Sequence, residues 1–192
     1  FVFSSLAFGD VYNFSCTPTL NGPCIASQFY VEVVAGANPA QVLFTFHNSS
    51  DGSIEQIYFD DGTLLGIAGV TNGPGVDFSQ FSSANKVSPA ELPDGNNLLP
   101  AFETTAGFLA DAANGGSNGV DNGEWVTITF NLKDGKTFTD TIAALNGPIG
   151  VDDDLRIGAH GLVAQRRHQH LQLLVLFRDR RIENHAPAED RR

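Results

Sequence analysis

Carboxylates are the densest source of potential chemistry in this chain. Asp60-Asp61 and Asp152-Asp153-Asp154 stand in runs, and Asn118-Gly-Val-Asp121-Asn-Gly-Glu124 sets the side-chain oxygens of Asn118, Asp121 and Glu124 on one loop. Hard cations such as Ca²⁺ take six to eight oxygens from such side chains and from loop carbonyls. The 118–124 loop is the better Ca²⁺ candidate, because Asp61-Gly62 also reads as a turn, and no Asp-x-Asp-x-Asp-Gly loop with a Glu at its twelfth position occurs. A carboxylate pair could also serve a polysaccharide hydrolase as acid and nucleophile, which requires a defined separation between the two groups. Trp125, Tyr58, Tyr30 and Tyr12 could stack on sugar rings, although Trp125 opens an apolar strand and reads as core. Nucleophile chemistry lacks its motif: there is no Gly-x-Ser-x-Gly, and His47 and His160 fall in strand patterns, where a histidine is structural by default. No catalytic residue is assigned.

Two further groups could do chemistry. Cys16 and Cys24 are the only cysteines, and in an exported chain a pair eight residues apart forms a disulfide, here closing a loop over Pro18, Asn21-Gly22 and Pro23. A metal or redox role needs more, since the pair is neither Cys-x-x-Cys nor part of a four-ligand set. His168-x-His170 would place two ligands on one strand face, without a third.

The elements that must position these residues read as strands. Residues 54–70 run from an apolar segment through Asp61-Gly62 into a second one, which is the pattern of a tight two-residue hairpin. Similar short runs at 11–16, 28–35, 41–48, 54–59, 64–70, 76–81, 102–110, 125–132 and 155–160 are separated by Gly, Pro, Asn and Asp. Period-two alternation turns Val42, Phe44 and Phe46 toward a core. One stretch, 137–147, instead spaces Phe138, Ile142 and Leu145 for a short amphipathic helix that plugs one end of the sandwich, with Gly147 as a left-handed cap and Pro148 as its stop. The loops 89–100 and 111–123 lack apolar periodicity and are the expected place for a ligand site.

A chain of 192 residues suits one domain, and 15 Phe and 20 Gly with no Met suit many strands and turns. Net charge is −11, but residues 1–161 hold four Lys/Arg against eighteen Asp/Glu, whereas residues 162–192 hold seven Arg against four Asp/Glu. An acidic body repels phosphate backbones, which argues against a nucleic-acid partner. Phe1-Val-Phe-Ser-Ser-Leu-Ala-Phe-Gly9 reads as the apolar remnant of a signal peptide ending in a small-x-small site. No run of eighteen apolar residues occurs, so no membrane span is expected in the chain as written. After Gly161 the composition switches to Arg, His, Gln and Leu. Three readings compete for this tail: a basic amphipathic helix, a His-rich metal segment, and a reading-frame shift. The frame shift is favoured, because charge sign and glycine usage change at one point and the apolar block at 171 and 173–177 leaves a surface helix no polar face.

Several segments resemble the PEP-CTERM class of exported bacterial proteins, which carry a signal peptide and a carboxy-terminal Pro-Glu-Pro signal sorted by an exosortase. The matching text is Val11-Tyr-Asn-Phe-Ser-Cys16 with Cys24, Ile57-Tyr-Phe-Asp-Asp-Gly-Thr-Leu-Leu-Gly-Ile-Ala-Gly69, Val76-Asp-Phe-Ser-Gln80, Ser88-Pro-Ala-Glu-Leu-Pro-Asp-Gly-Asn-Asn97, Thr104-Thr-Ala-Gly-Phe108, Asn118-Gly-Val-Asp-Asn-Gly-Glu124 and Leu155-Arg-Ile-Gly158. The resemblance covers roughly residues 7–161 and implies a secreted or surface-held sandwich associated with extracellular polysaccharide or biofilm, with no assigned enzymatic activity. The family's further strand, Pro-Glu-Pro signal, apolar span and basic end do not follow here.

The expectation is therefore an all-β protein: an antiparallel β-sandwich, jelly-roll or Greek-key-like, with one short helix. Residues 1–9 form the leader remnant, 10–161 the domain and 162–192 the atypical tail. The expected role is that of an exported bacterial cell-surface or matrix protein, structural or carbohydrate-associated. A Ca²⁺-dependent carbohydrate-binding module is the first alternative and a polysaccharide-acting hydrolase the second.

Overall fold

The computed structural model describes residues 9–16, 29–49, 51–80, 92, 95–111, 118–148, 154–163 and 170–175. The leader remnant at 1–8, Cys24, Asp152, Asp153 and His168 lie outside the described residues. Among the described residues eleven strands and one α-helix follow in chain order: β1 (Asp10–Asn13), β2 (Ser15–Cys16), β3 (Phe29–Ala35), β4 (Gln41–Asn48), β5 (Gly52–Asp60), β6 (Leu65–Asn72), β7 (Phe78–Gln80), β8 (Ala106–Ala110), β9 (Trp125–Leu132), α1 (Phe138–Asn146), β10 (Arg156–Val163) and β11 (His170–Val175). They form two antiparallel sheets, β1-β3-β4-β9-β6 and β2-β11-β10-β5-β8-β7. The chain changes sheet at every step except β3 to β4, β7 to β8 and β10 to β11. That winding is the jelly-roll manner of building a closed oily interior from two open sheets.

Alternation makes the core. On β3 Phe29, Val31 and Val33 are buried, and on β4 Val42, Phe44 and Phe46 are fully buried, as their parity requires. The second sheet answers with Ile57, Phe59, Phe108, Ile157 and Ala159. Phe59 sits at the junction, its ring centroid 5.2 Å from Phe44, 6.0 Å from Phe46, 4.7 Å from Phe130 and 6.0 Å from Phe108, all edge-on. Edge-to-face aromatic pairs of this kind add about 0.5–1.5 kcal/mol each beyond the area they bury.

The Asp61-Gly62 turn exists, but it is not a hairpin. Gly62 takes a φ of 56°, the left-handed region, and the Leu64 amide donates to the Asp61 carbonyl at 3.0 Å. Both edges of β5 are already taken by β10 and β8, so β6 cannot pair with it and crosses to the other sheet, where it pairs with β9. The turn is an arch between layers, and turn chemistry alone could not tell the two apart.

The helix begins where expected. Thr137 caps it with a full capping box, its side chain accepting from the Asp140 amide while the Asp140 carboxylate accepts from the Thr137 amide at 2.7 Å. Gly147 ends it in an extended conformation (φ −73°) and not the left-handed one expected, its amide bonding to Ala144 with Pro148 following. Leu145 is buried and Phe138 and Ile142 pack on the main core, so the helix closes over the interior between β9 and β10. β10 continues through the compositional break at Gly161 to Val163, and residues 170–175 of the tail pair with β10 and β2 as β11. The described part of the apolar block that argues against a surface helix, up to residue 175, is thus strand.

Replacing Phe59 with alanine should cost about 3–5 kcal/mol, because the cavity would open at the contact between both layers. Val11, which is 57% exposed, should tolerate alanine within about 0.5 kcal/mol. Urea unfolding of the two variants checks the contrast, and equal losses would contradict this account of the core.

Candidate functional site

Of the carboxylates singled out by sequence, Asp60, Asp61 and Glu124 are committed to the fold. Asp60 and Asp61, adjacent on the chain, serve different partners. Asp60 faces outward from the second sheet, directly across from Arg156 on β10, and its carboxylate takes hydrogen bonds from the Arg156 guanidinium and, at 3.0 Å, from the Glu103 amide. Asp61 turns into the arch, where it accepts from the Leu65 amide at 2.6 Å and from the Thr105 hydroxyl. Both are buried, and burial pushes both carboxyls above the ordinary range against the pull of these donors. In the 118–124 loop the Glu124 carboxylate closes its own turn by accepting the Asp121 amide at 2.9 Å, and Asn118 is tied by its backbone to Asp77 and Asp111. Asp121 and Glu124 therefore share one turn, with Asn118 held at its entrance. Among the described residues no three His, Cys, Asp or Glu side chains form a cation-holding group. Cys16 ends β2, half-buried.

The outer face of the second sheet is covered. Leu92 and Phe102 bury Tyr58 in a small separate core, with Leu98 packed against it. Arg156 holds the cover down: it donates to the Pro100 carbonyl at 2.8 Å and to the Ala101 carbonyl at 2.6 Å, and its guanidinium lies 5.3 Å from the Phe102 ring centroid. Tyr58 is thus unavailable to a sugar, its hydroxyl bonded to Gln56 and its pKa pushed up to about 12 by burial. The described part of the 89–100 loop is a structural lid rather than a ligand site. Tyr12 is also buried, its hydroxyl taking a hydrogen bond from Asn146 at 3.2 Å.

The outer face of the first sheet differs. Cross-strand register aligns Asn13 on β1, Tyr30 on β3, His47 on β4 and Trp125 on β9 in one row, and Gly73, just past β6, continues it through a backbone hydrogen bond to Trp125. Tyr30 and His47 are stacked, with ring centroids 4.7 Å apart and planes 14° from parallel. All three rings are half-buried, so Trp125 is not the core residue that the start of an apolar strand suggests. Its neighbours Val126, Ile128 and Phe130 point inward, so parity sends Trp125 out. Among the described residues, the Tyr30 hydroxyl, the His47 ring nitrogens and Trp125 Nε1 have no hydrogen-bond partner. Burial lowers the His47 pKa, with Glu32 opposing it, which favours the neutral ring at neutral pH. Beside the aromatic row runs a hydroxyl row, in which Thr45 and Thr127 bond to each other at 2.9 Å and Thr71 lies opposite Thr127.

Asp61 gives this fold a directional response to pH. A folded pKa above the unfolded value near 3.8 means its contribution is complete below that value and is lost as the pH rises through the folded one. The Asp61→Asn variant should therefore gain in melting temperature relative to the parent as the pH is raised from about 4 to about 7. Asp140, held low by its bonds to Thr137, acts in the opposite sense but is present in both proteins and cancels. A difference that stays constant across the range would contradict the burial of Asp61.

No protein-family model matches the chain, and no curated protein matches it. A solved structure described as "pH-induced modulation of Streptococcus parasanguinis adhesion by Fap1 fimbriae" is similar with a TM-score of 0.40 and 9% sequence identity, over 88% of this chain and 92% of that one. A likeness at that level carries no argument. The conclusion that stands is a two-layer antiparallel β-sandwich in which no helix among the described residues is long and apolar enough to cross a membrane.

Proposed function

We propose that this chain is an exported bacterial protein, secreted or held at the cell surface, whose sandwich associates with extracellular polysaccharide through the outer face of its first sheet. The observation that carries the reading is the Tyr30–His47–Trp125 row. Aromatic faces and edges with unpaired donors and acceptors, set beside a row of hydroxyls, match a ligand that is itself apolar on its ring faces and hydroxylated at its rim. The resemblance to PEP-CTERM proteins and the leader-like start support the address, and in that setting Cys16 and Cys24 form a disulfide that staples the start of the domain. The Ca²⁺-dependent alternative and the hydrolase reading both require carboxylates, and Asp60, Asp61 and Glu124 are engaged in the Arg156 pair and in turns.

Sedimentation with insoluble polysaccharide tests the reading. The parent should be retained, the Tyr30→Ala/Trp125→Ala double variant should lose at least about tenfold in affinity, equivalent to about 1.4 kcal/mol, and a chelator should change nothing. Retention that depends on Ca²⁺ would transfer support to the calcium module. Reduction of the disulfide should lower stability by about 2–3 kcal/mol, the loop-entropy value for so short a closure, as read by urea unfolding with and without reductant.

A further inference from the structure

We infer, on the basis of the polysaccharide reading above, that the ligand is an uncharged glycan of pyranose rings and that Trp125, bedded on Gly73, is the residue on which a ring stacks. Gly73 donates its amide to the Trp125 carbonyl at 3.1 Å, so the two backbones are adjacent. A Cβ built at Gly73 would stand 3.1 Å from Cε2 and 3.2 Å from Cδ2 of the indole, the two atoms shared by its rings. Near-equal distances to both fusion atoms mean that the indole lies broadside across Gly73 rather than edge-on. The same Cβ would meet the Trp125 carbonyl oxygen at 2.6 Å, so only glycine fits beneath the ring. One face of the indole is fixed against bare backbone while the residue stays half-buried, with Nε1 unpartnered among the described residues. A ring already held in place loses little conformational freedom when a ligand covers its other side.

Charge selects the class of glycan. The chain carries a net charge of −11, yet the outward positions of β1, β3, β4, β6 and β9 hold one ionised side chain, Glu32, with Lys133 reaching the far corner beside Gly66. An anionic polymer would meet Glu32 and the field of an acidic body, with no cation among the described residues near the aromatic row to receive it. A neutral pyranose chain meets no such repulsion. Its axial C–H face can lie on the indole while its hydroxyls reach the Tyr30 hydroxyl and Trp125 Nε1.

Trp125 is the only tryptophan in the chain, so the unmodified protein reports on the site directly. Titration with soluble neutral β-glucan and xylan should change its fluorescence saturably, whereas alginate and polygalacturonate should not. In affinity electrophoresis the neutral polymers should retard the protein, Trp125→Ala should weaken that binding at least tenfold, and Trp125→Tyr should restore most of it. Retardation by anionic polymers alone would overturn the inference while leaving the polysaccharide reading in place. So would neutral binding that leaves the fluorescence unchanged or survives Trp125→Ala within twofold. Binding to neither class would overturn both.

Discussion

Phe59 belongs to one sheet and touches the aromatic rings of the other, and that interlock is the constraint from which the remaining geometry follows. Its contacts with Phe44, Phe46 and Phe130 fix which residues of β4, β5 and β9 face inward. Because side chains alternate with a period of two, a slip of one residue in any of these strands would exchange its inner and outer sets completely. The outward placement of His47 next to Phe46, and of Trp125 next to Val126, is therefore a consequence of core packing. The exposed row is as well specified as the core beneath it.

The two outer faces meet different ends for an electrostatic reason. On the second sheet, Arg156 and Asp60 are 4% and 6% exposed and oppose each other across β10 and β5. A buried pair of this kind depends on partners for its remaining donors: the Pro100 and Ala101 carbonyls take the two terminal nitrogens of Arg156, while Nε has no hydrogen bond among the described residues and faces the Asp154 carboxylate at 3.9 Å. The lid that supplies those carbonyls also brings Leu92 and Phe102 over Tyr58. Asp60, which the sequence offers as part of a carboxylate pair, instead helps to fasten a cover. The first sheet has no comparable buried charge on its outward side, and among the described elements none is packed over its aromatic row.

Much of the fold was legible because it depends on periods and punctuation. Residues 41–48 and 125–132 are strands with the expected bounds, the helix starts at its Thr137 cap, and the inward set Val42, Phe44 and Phe46 follows from parity. Pairing was not legible. The arch at Asp61-Gly62 has the local grammar of a hairpin, and its fate was decided by β8 and β10, which are distant in sequence. The same limit hid the candidate site: Tyr30, His47 and Trp125 are separated by long stretches of chain and meet only through the register of β3, β4 and β9. Trp125 could have been placed correctly, since Val126, Ile128 and Phe130 already occupy the inward parity. The apolar character of the strand as a whole obscured that signal.

The polar pairs on the first sheet also restrict how a ligand could lie. Thr45 and Thr127 already bond to each other, as do Gln41 and Asn131 at 2.9 Å farther along the same strands. These bonds run sideways between neighbouring strands, leaving the middle and far end of the face partly self-satisfied. The unpartnered groups of Tyr30, His47 and Trp125 lie instead at the end where β3 begins, β4 finishes and β9 begins. Adjacent strands are about 4.8 Å apart, so this row extends about 10 Å perpendicular to the strand direction. A polymer using all three residues must therefore cross the strands, with its length directed along the row from Tyr30 to Trp125 and its register set by the indole resting on Gly73.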